Sequence, residues 1–270
     1  LEGEQGGPRK STAISMAQDI LMRVDGDLLA PNDGSPEGFL GSLKQADDKC
    51  AGNAANIVVA PEFGNTLAQM QRSYSLQYKT LLMDLYDVPP TYKKALAKTT
   101  WTIPNPRVSL LGGVATELLP TLSSSVDWLG GFFSRALIIH GDSAADGTDQ
   151  GGTPPDKLRG DLADDLWGNL KKWRAASKKR GRPLFNYSKK ASKTAASALV
   201  RCKEPNLKGS MSRADVHLKK LAAIEQIDED PLSKCIEAAA VERAMKLIAY
   251  WQKTLPGVID SCFARSNDDF

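Results

Sequence analysis

The stretch Gly3-Glu4-Gln5-Gly6-Gly7-Pro8-Arg9-Lys10-Ser11-Thr12 sets three glycines, two cations and two hydroxyls directly before an amphipathic run. A glycine-rich loop at a helix N-terminus lets main-chain amides converge on an anion, and the helix adds partial positive charge at the same spot. A lysine there reaches the outer phosphates of a nucleotide, and the next hydroxyl binds Mg²⁺. On this reading Gly6, Gly7, Arg9, Lys10, Ser11 and Thr12 are the phosphate-binding candidates, with Ser11 also a metal ligand. The standard spacing GxxxxGK[ST] places glycine at positions 4 and 9, where Glu4 and Arg9 stand. A glycine-rich turn with a basic helix cap accounts for the same residues.

Three further stretches carry chemistry of the same kind. In Ile57-Val58-Val59-Ala60-Pro61-Glu62-Phe63-Gly64 an acid follows a β-branched run. A carboxylate at the tip of a buried strand can hold a metal through water or polarise an attacking water. Glu62 is therefore a catalytic and metal candidate, although Pro61 stands where a first acid would be needed; a surface glutamate after a core strand is the competing reading. Arg135 lies between a Gly-Gly-Phe-Phe turn and the apolar run Ala136–His140, where a guanidinium could meet a phosphate in its own or a neighbouring subunit. A structural salt bridge explains a lone arginine equally well. Arg107–Gly113 ends in two glycines, which permit close approach of backbone or ligand, and Thr116 is the nearest polar side chain beyond.

The elements that would position these residues alternate. Ala13, Ile14, Ala17, Ile20, Leu21 and Val24 form one apolar helical stripe. Asp27–Ala30 reads as a short strand, Pro31–Gly34 as a turn, and Ser35-Pro36-Glu37 as the start of a second helix. Ile57–Ala60, Arg107–Gly113 and Ala136–His140 read as strands buried on both faces, with a helix predicted over residues 66–86. Strands alternating with helices predict an α/β domain with a mostly parallel sheet over residues 1–142. Residues 143–155, rich in Gly, Asp, Ser and Thr, read as a mobile loop or boundary. Residues 156–270 read as mainly helical: about Asp156–Lys179, Ser188–Lys203, Arg213–Ile227 and Leu232–Thr254, with a short strand or turn at Leu184–Asn186.

The charge of +3 is unevenly spread over 270 residues: Lys171–Lys220 holds 16 of the 35 basic residues and 2 of the 32 acidic ones. Lys171, Lys172, Arg174, Lys178, Lys179, Arg180 and Arg182 open that segment and could face a polyanion. A solvated helix face paired with acids elsewhere is the alternative, as is an acidic protein partner. Trp173, Phe185 and Tyr187 could stack on bases, with core packing the commoner fate of such aromatics. The four cysteines are widely spaced and only two histidines occur, which argues against a zinc site and for free thiols in a reducing compartment. No run of about 18 apolar residues suggests a membrane span.

The ordered run of these elements resembles a family of phage and prophage P-loop ATPases described as primase–helicase-like. The likeness lies in Ser35–Leu43, in the stretch around Glu62, in Leu81–Asp87, in Ile103–Leu119 and Gly130–Ile139, and in the closing Arg213–Ala222 element before a helix ending Ile-Ala-Tyr-Trp. Arg9-Lys10-Ser11 also matches an RKS context in that family. The resemblance implies a RecA- or AAA-like P-loop NTPase core followed by a C-terminal helical region, with ATP and Mg²⁺ as cofactors. It implies Lys10 and Ser11 on phosphate and metal, Glu62 as the Walker B glutamate, and Arg135 as an arginine finger or sensor. It further implies DNA as partner, a homo-oligomeric ring, and a cytoplasmic place in a bacterial or phage-infected cell. A core of this kind has a strand immediately before its loop, and Leu1 is not a start methionine, so chain upstream is expected to carry that strand and a primase-like domain. The alternative is a degenerate nucleotide- or nucleic-acid-binding module without turnover.

Overall fold

The computed structural model describes residues 10–30, 35–50, 55–71, 76–95, 100–140, 156–180, 186–198 and 209–264. Gly6, Gly7 and Arg9, the Pro31–Gly34 turn, the loop at 143–155, Arg182 and Phe185 lie outside them. The described chain separates into two units, one running to Ser124 with the helical turn at 156–160, the other taking Ser125–His140 and the described residues from Asp161 onward.

The first unit opens with α1 (Lys10–Asp25), whose predicted stripe buries Ile14 and Val24. A 3₁₀ turn at Gly26–Leu28 leads into β1 (Leu29–Ala30). Helix α2 (Pro36–Cys50) starts as its sequence demands: the Ser35 hydroxyl accepts the Gly38 N–H at 3.1 Å, Pro36 needs no amide partner, and Phe39, Leu40 and Leu43 are buried. Strand β2 (Ala55–Ala60) follows, then α3 (Phe63–Met70) and α4 (Leu76–Tyr86). An antiparallel hairpin, β3 (Thr91–Ala95) with β4 (Thr100–Pro104), precedes β5 (Arg107–Gly112). The short helix α5 (Leu119–Leu122) closes the run.

The sheet has the order β1-β2-β5, all parallel. Ile57 pairs with Leu29 on one side and Ser109 on the other, and Ala60 with Gly112. Strand β2 is central: Asn56, Val58, Val59 and Ala60 are buried, and the Asn56 amide donates to the Ser42 hydroxyl of α2. This is the two-face burial its β-branched run predicts. Strand β5 departs from that expectation. It pairs only with β2 among the described residues, and Leu110 and Leu111, on opposite faces, are 40% and 39% exposed.

In the second unit, α6 (Ser125–Leu129) and a 3₁₀ turn at Phe133–Arg135 precede α7 (Asp156–Arg180), whose first turn is shared with the first unit. Next come β6 (Asn186–Tyr187), α8 (Lys189–Ala198), α9 (Ala214–Glu229), β7 (Cys235–Ile236) and α10 (Ala238–Ala264). Helix α10 packs on α9 and α8. Ala240, Val241, Ala244, Ile248, Trp251, Leu255, Val258 and Ile259 are its buried stripe, met by Leu218 and Ala222 of α9 and Ala191 and Ala195 of α8. Each large apolar side chain so buried contributes roughly 1.5–3 kcal/mol.

Four sequence expectations change here. The helix over 66–86 is two helices, since α3 ends at Met70 and α4 starts at Leu76. Ala136–His140 forms no strand among the described residues, and the His140 carbonyl accepts the Tyr250 hydroxyl. The hairpin β3–β4 was not foreseen, because Thr91–Ala95 carries two lysines and little apolar alternation. The last helix continues past Pro256 to Ala264, since Leu255, Val258, Ile259 and Cys262 keep its buried period beyond the missing amide. No helix among the described residues is long and apolar enough to cross a membrane.

Candidate functional site

All three strands of the sheet are parallel, so their carboxyl ends share one edge, and that edge is built from four stretches. Strand β2 ends at Ala60, and Pro61-Glu62 turn directly into α3. Strand β5 ends at Gly112-Gly113. The Gly113 N–H donates to the Ala60 carbonyl at 3.0 Å, and the Phe63 N–H donates to the Gly113 carbonyl at 2.7 Å. These two bonds tie the glycine tip to the turn that carries Glu62. A Cβ on Gly113 would stand 2.7 Å from the Pro61 carbonyl oxygen and 2.8 Å from the Ile14 side chain, so only glycine fits without displacing backbone.

Helix α1 supplies the fourth stretch. The Ser11 hydroxyl, in its first turn, donates to the Glu62 carboxylate at 3.1 Å. Glu62 occupies the cap position of α3 yet makes no side-chain bond to that helix. Its carboxylate is spent on Ser11 across 51 residues of sequence. Two helix N-termini, those of α1 and α3, thus meet at the exposed Glu62 carboxylate, and both favour anions. The hydroxyl and the carboxylate are hard oxygen donors of the type Mg²⁺ takes. Among the described residues no group of three or more His, Cys, Asp or Glu could hold a metal alone. A cation at this edge would draw its other ligands from phosphate and water, as Mg²⁺ commonly does.

Lys10 opens α1 and Thr12 is exposed in the same turn. Thr116 is half-buried in the turn after β5, its carbonyl accepting the Leu119 N–H at 3.3 Å. At the other end of α1, Asp19 and Arg23 form ion pairs with Arg159 and Asp156 in the opening turn of α7.

Arg135 belongs to the second unit and is held there by local chemistry. Its guanidinium donates to the Gly131 carbonyl at 2.9 Å, and Gly131 adopts φ +93°, a conformation open to glycine. Next to it, buried Ser134 offers its carbonyl to His217 Nε2 at 3.0 Å. A carbonyl only accepts, so Nε2 carries the proton. The His217 ring also lies edge-on to Trp251, 5.5 Å between centroids. Burial is the main force lowering the His217 pKa; nearby Lys220 and Arg213 push the same way, against the bond to Ser134. His217 is thus a residue that pins the Arg135 turn to α9. The sequence marks it only as the histidine of the Arg213–Ala222 element.

Of the basic candidates, Lys171, Lys172 and Arg174 are exposed on α7, and Lys178, Lys179 and Arg180 belong to the same helix. Of the aromatics, Trp173 is half-buried with its indole nitrogen enclosed, and half-buried Tyr187 has its phenol pKa raised chiefly by burial. The aromatic that sits among the cations is Trp167: Lys171 Nζ lies 5.4 Å and Arg174 Cζ 5.7 Å from its ring centroid.

No family model matches this chain, and neither a curated protein nor a solved structure does.

Proposed function

We propose that this chain binds and hydrolyses ATP with Mg²⁺ through a P-loop core of RecA or AAA type, as a motor or switch acting on DNA in the replication of a phage or mobile element. The observation that carries the nucleotide part is the Ser11–Glu62 pair, 3.1 Å apart at the carboxyl edge of a parallel sheet where two helices begin. In open α/β sheets ligands bind outside the carboxyl ends of the strands. The DNA part rests on the basic segment beginning at Lys171, and the replication setting on the sequence resemblance.

In this reading the Lys10 ammonium and the α1 amides would receive the phosphates, and the Ser11 hydroxyl would be the residue that holds the metal. The metal, when bound, neutralises charge developing on the transferred phosphoryl group. Glu62, released from Ser11, accepts a hydrogen bond from the attacking water and orients it in line. Arg135 would supply a further cation to a neighbouring subunit of a ring.

Hydrolysis of Mg²⁺-ATP, with and without single-stranded DNA, tests this against Lys10→Ala. Turnover in the wild type and none in the variant supports it; equal rates in the two remove the loop from the reaction. A second reading, a binding module without turnover, is favoured by Pro61 standing where a metal-holding acid would be. Wild-type protein that binds labelled nucleotide yet never releases phosphate selects it.

A further inference from the structure

Helix α7 changes character along its length. Its last acid is Asp165; from Leu166 to Arg180 it carries six cations and no carboxylate. Trp167, Lys171 and Arg174 are spaced by four and three residues, which puts them on one stripe, and Lys178 continues the spacing. Asn169 and Trp173 lie on the opposite side. There the Asn169 amide donates to the Asp228 carbonyl at the end of α9, so that side is the one seated on the protein. Lys171, Lys172, Arg174 and Ala175 are exposed and Trp167 is half-buried beneath Lys171 and Arg174, while a Cβ built on Gly168 meets nothing within 4 Å.

We infer that the Trp167–Lys171–Arg174 stripe of α7 docks single-stranded nucleic acid, with the indole as a stacking platform for a base and the cations on the backbone phosphates. This rests on the nucleic-acid part of the function proposed above and names the strandedness and the central residue. Charge complementarity selects a polyanion. The indole selects an unpaired base, because duplex bases are already stacked on one another. The two cation–π contacts hold the ring and both cations in place before any ligand arrives, which lowers the ordering cost of binding. The Arg174 guanidinium is itself a flat plane on which a base can stack.

The test is a fluorescence-anisotropy titration of the full chain with labelled oligothymidylate, with a DNA duplex of the same length, and with polyglutamate as a protein-like polyanion, each over a salt series. Trp167→Ala is expected to weaken oligothymidylate binding roughly five- to a hundredfold while leaving its salt slope unchanged, and Trp167→Phe to keep most of the affinity. Reversing Lys171 and Arg174 to glutamate should flatten the salt slope by about 1.4 or more. Circular dichroism of each variant checks that α7 remains helical. If Trp167→Ala binds as tightly as the wild type while the charge reversal weakens binding, the stacking role is overturned and the nucleic-acid reading stands. Equal affinity for duplex or polyglutamate likewise overturns a single-strand site. No binding of any nucleic acid at low salt overturns both.

Discussion

The two units of this protein solve the burial problem in opposite ways. In the second, one long helix, α10, sinks Trp251, Ile248 and Leu255 against α9 and α8, and buried His217 of α9 donates to the Ser134 carbonyl. In the first, a three-stranded sheet buries β2 alone, leaves Leu110 and Leu111 of β5 substantially exposed, and presents Ser11 and the Glu62 carboxylate together at one edge. The difference teaches where to look for chemistry. A buried polar bond such as that from His217 to Ser134 holds shape. A carboxylate kept off its own helix and in reach of a hydroxyl is the place to test for a ligand that takes over that bond.

Perturbing each unit in turn breaks or sharpens this contrast. The largest effect is expected from Glu62→Gln: nucleotide binding retained and phosphate release slowed about 10²- to 10⁴-fold, as for loss of a general base. Turnover equal to wild type in a single-turnover assay would remove Glu62 from the reaction and leave the first unit without its distinguishing feature. Next is Trp251→Ala, which empties a fully buried site and should cost about 3–5 kcal/mol, read from the urea midpoint. A shift below about 1 kcal/mol would mean α10 is not the second unit's core.

Gly113→Ala follows, at about 1–3 kcal/mol, because the new methyl meets the Pro61 carbonyl and Ile14. It is expected to lower kcat more than nucleotide affinity, since the displaced turn carries Glu62. The smallest effect concerns pH. The His217 pKa is lowered in the fold, so the unfolded chain takes the proton first. Its contribution is therefore complete above about pH 6.5 and is lost as pH falls from there through the depressed folded value. Urea titrations should show that loss in the wild type and a weaker one in His217→Gln; parallel curves would mean His217 does not titrate with unfolding.

Much of the second unit was legible because a helix reports itself locally. The spacing of Ala240, Ala244, Leu247, Ile248 and Trp251 needs no knowledge of what lies opposite, and all but Leu247 are buried, whereas Ile236, read on the same helix, belongs to β7 because it pairs with Tyr187. The cap of α2 was equally legible, as Ser35 and Pro36 act within one turn. Less was legible where a strand's fate depended on a partner. Arg107–Gly112 and Ala136–His140 read alike as buried strands, yet one joins β2 and the other joins no ladder among the described residues. Trp167 was passed over because its worth lies in Lys171 and Arg174 turning over its ring, a side-chain choice that spacing permits and does not dictate.

Residue order alone was enough to mark out the alternation of strand and helix, the acid at the tip of β2, and the concentration of cations from Lys171 onward, because these depend on local periodicity and on counting charge. Folding alone brought Ser11 to Glu62, locked Gly113 beneath Pro61, and tied His217 to the Arg135 turn. Each of those contacts joins residues about 50 or more apart, and no local preference encodes which distant segments will pair.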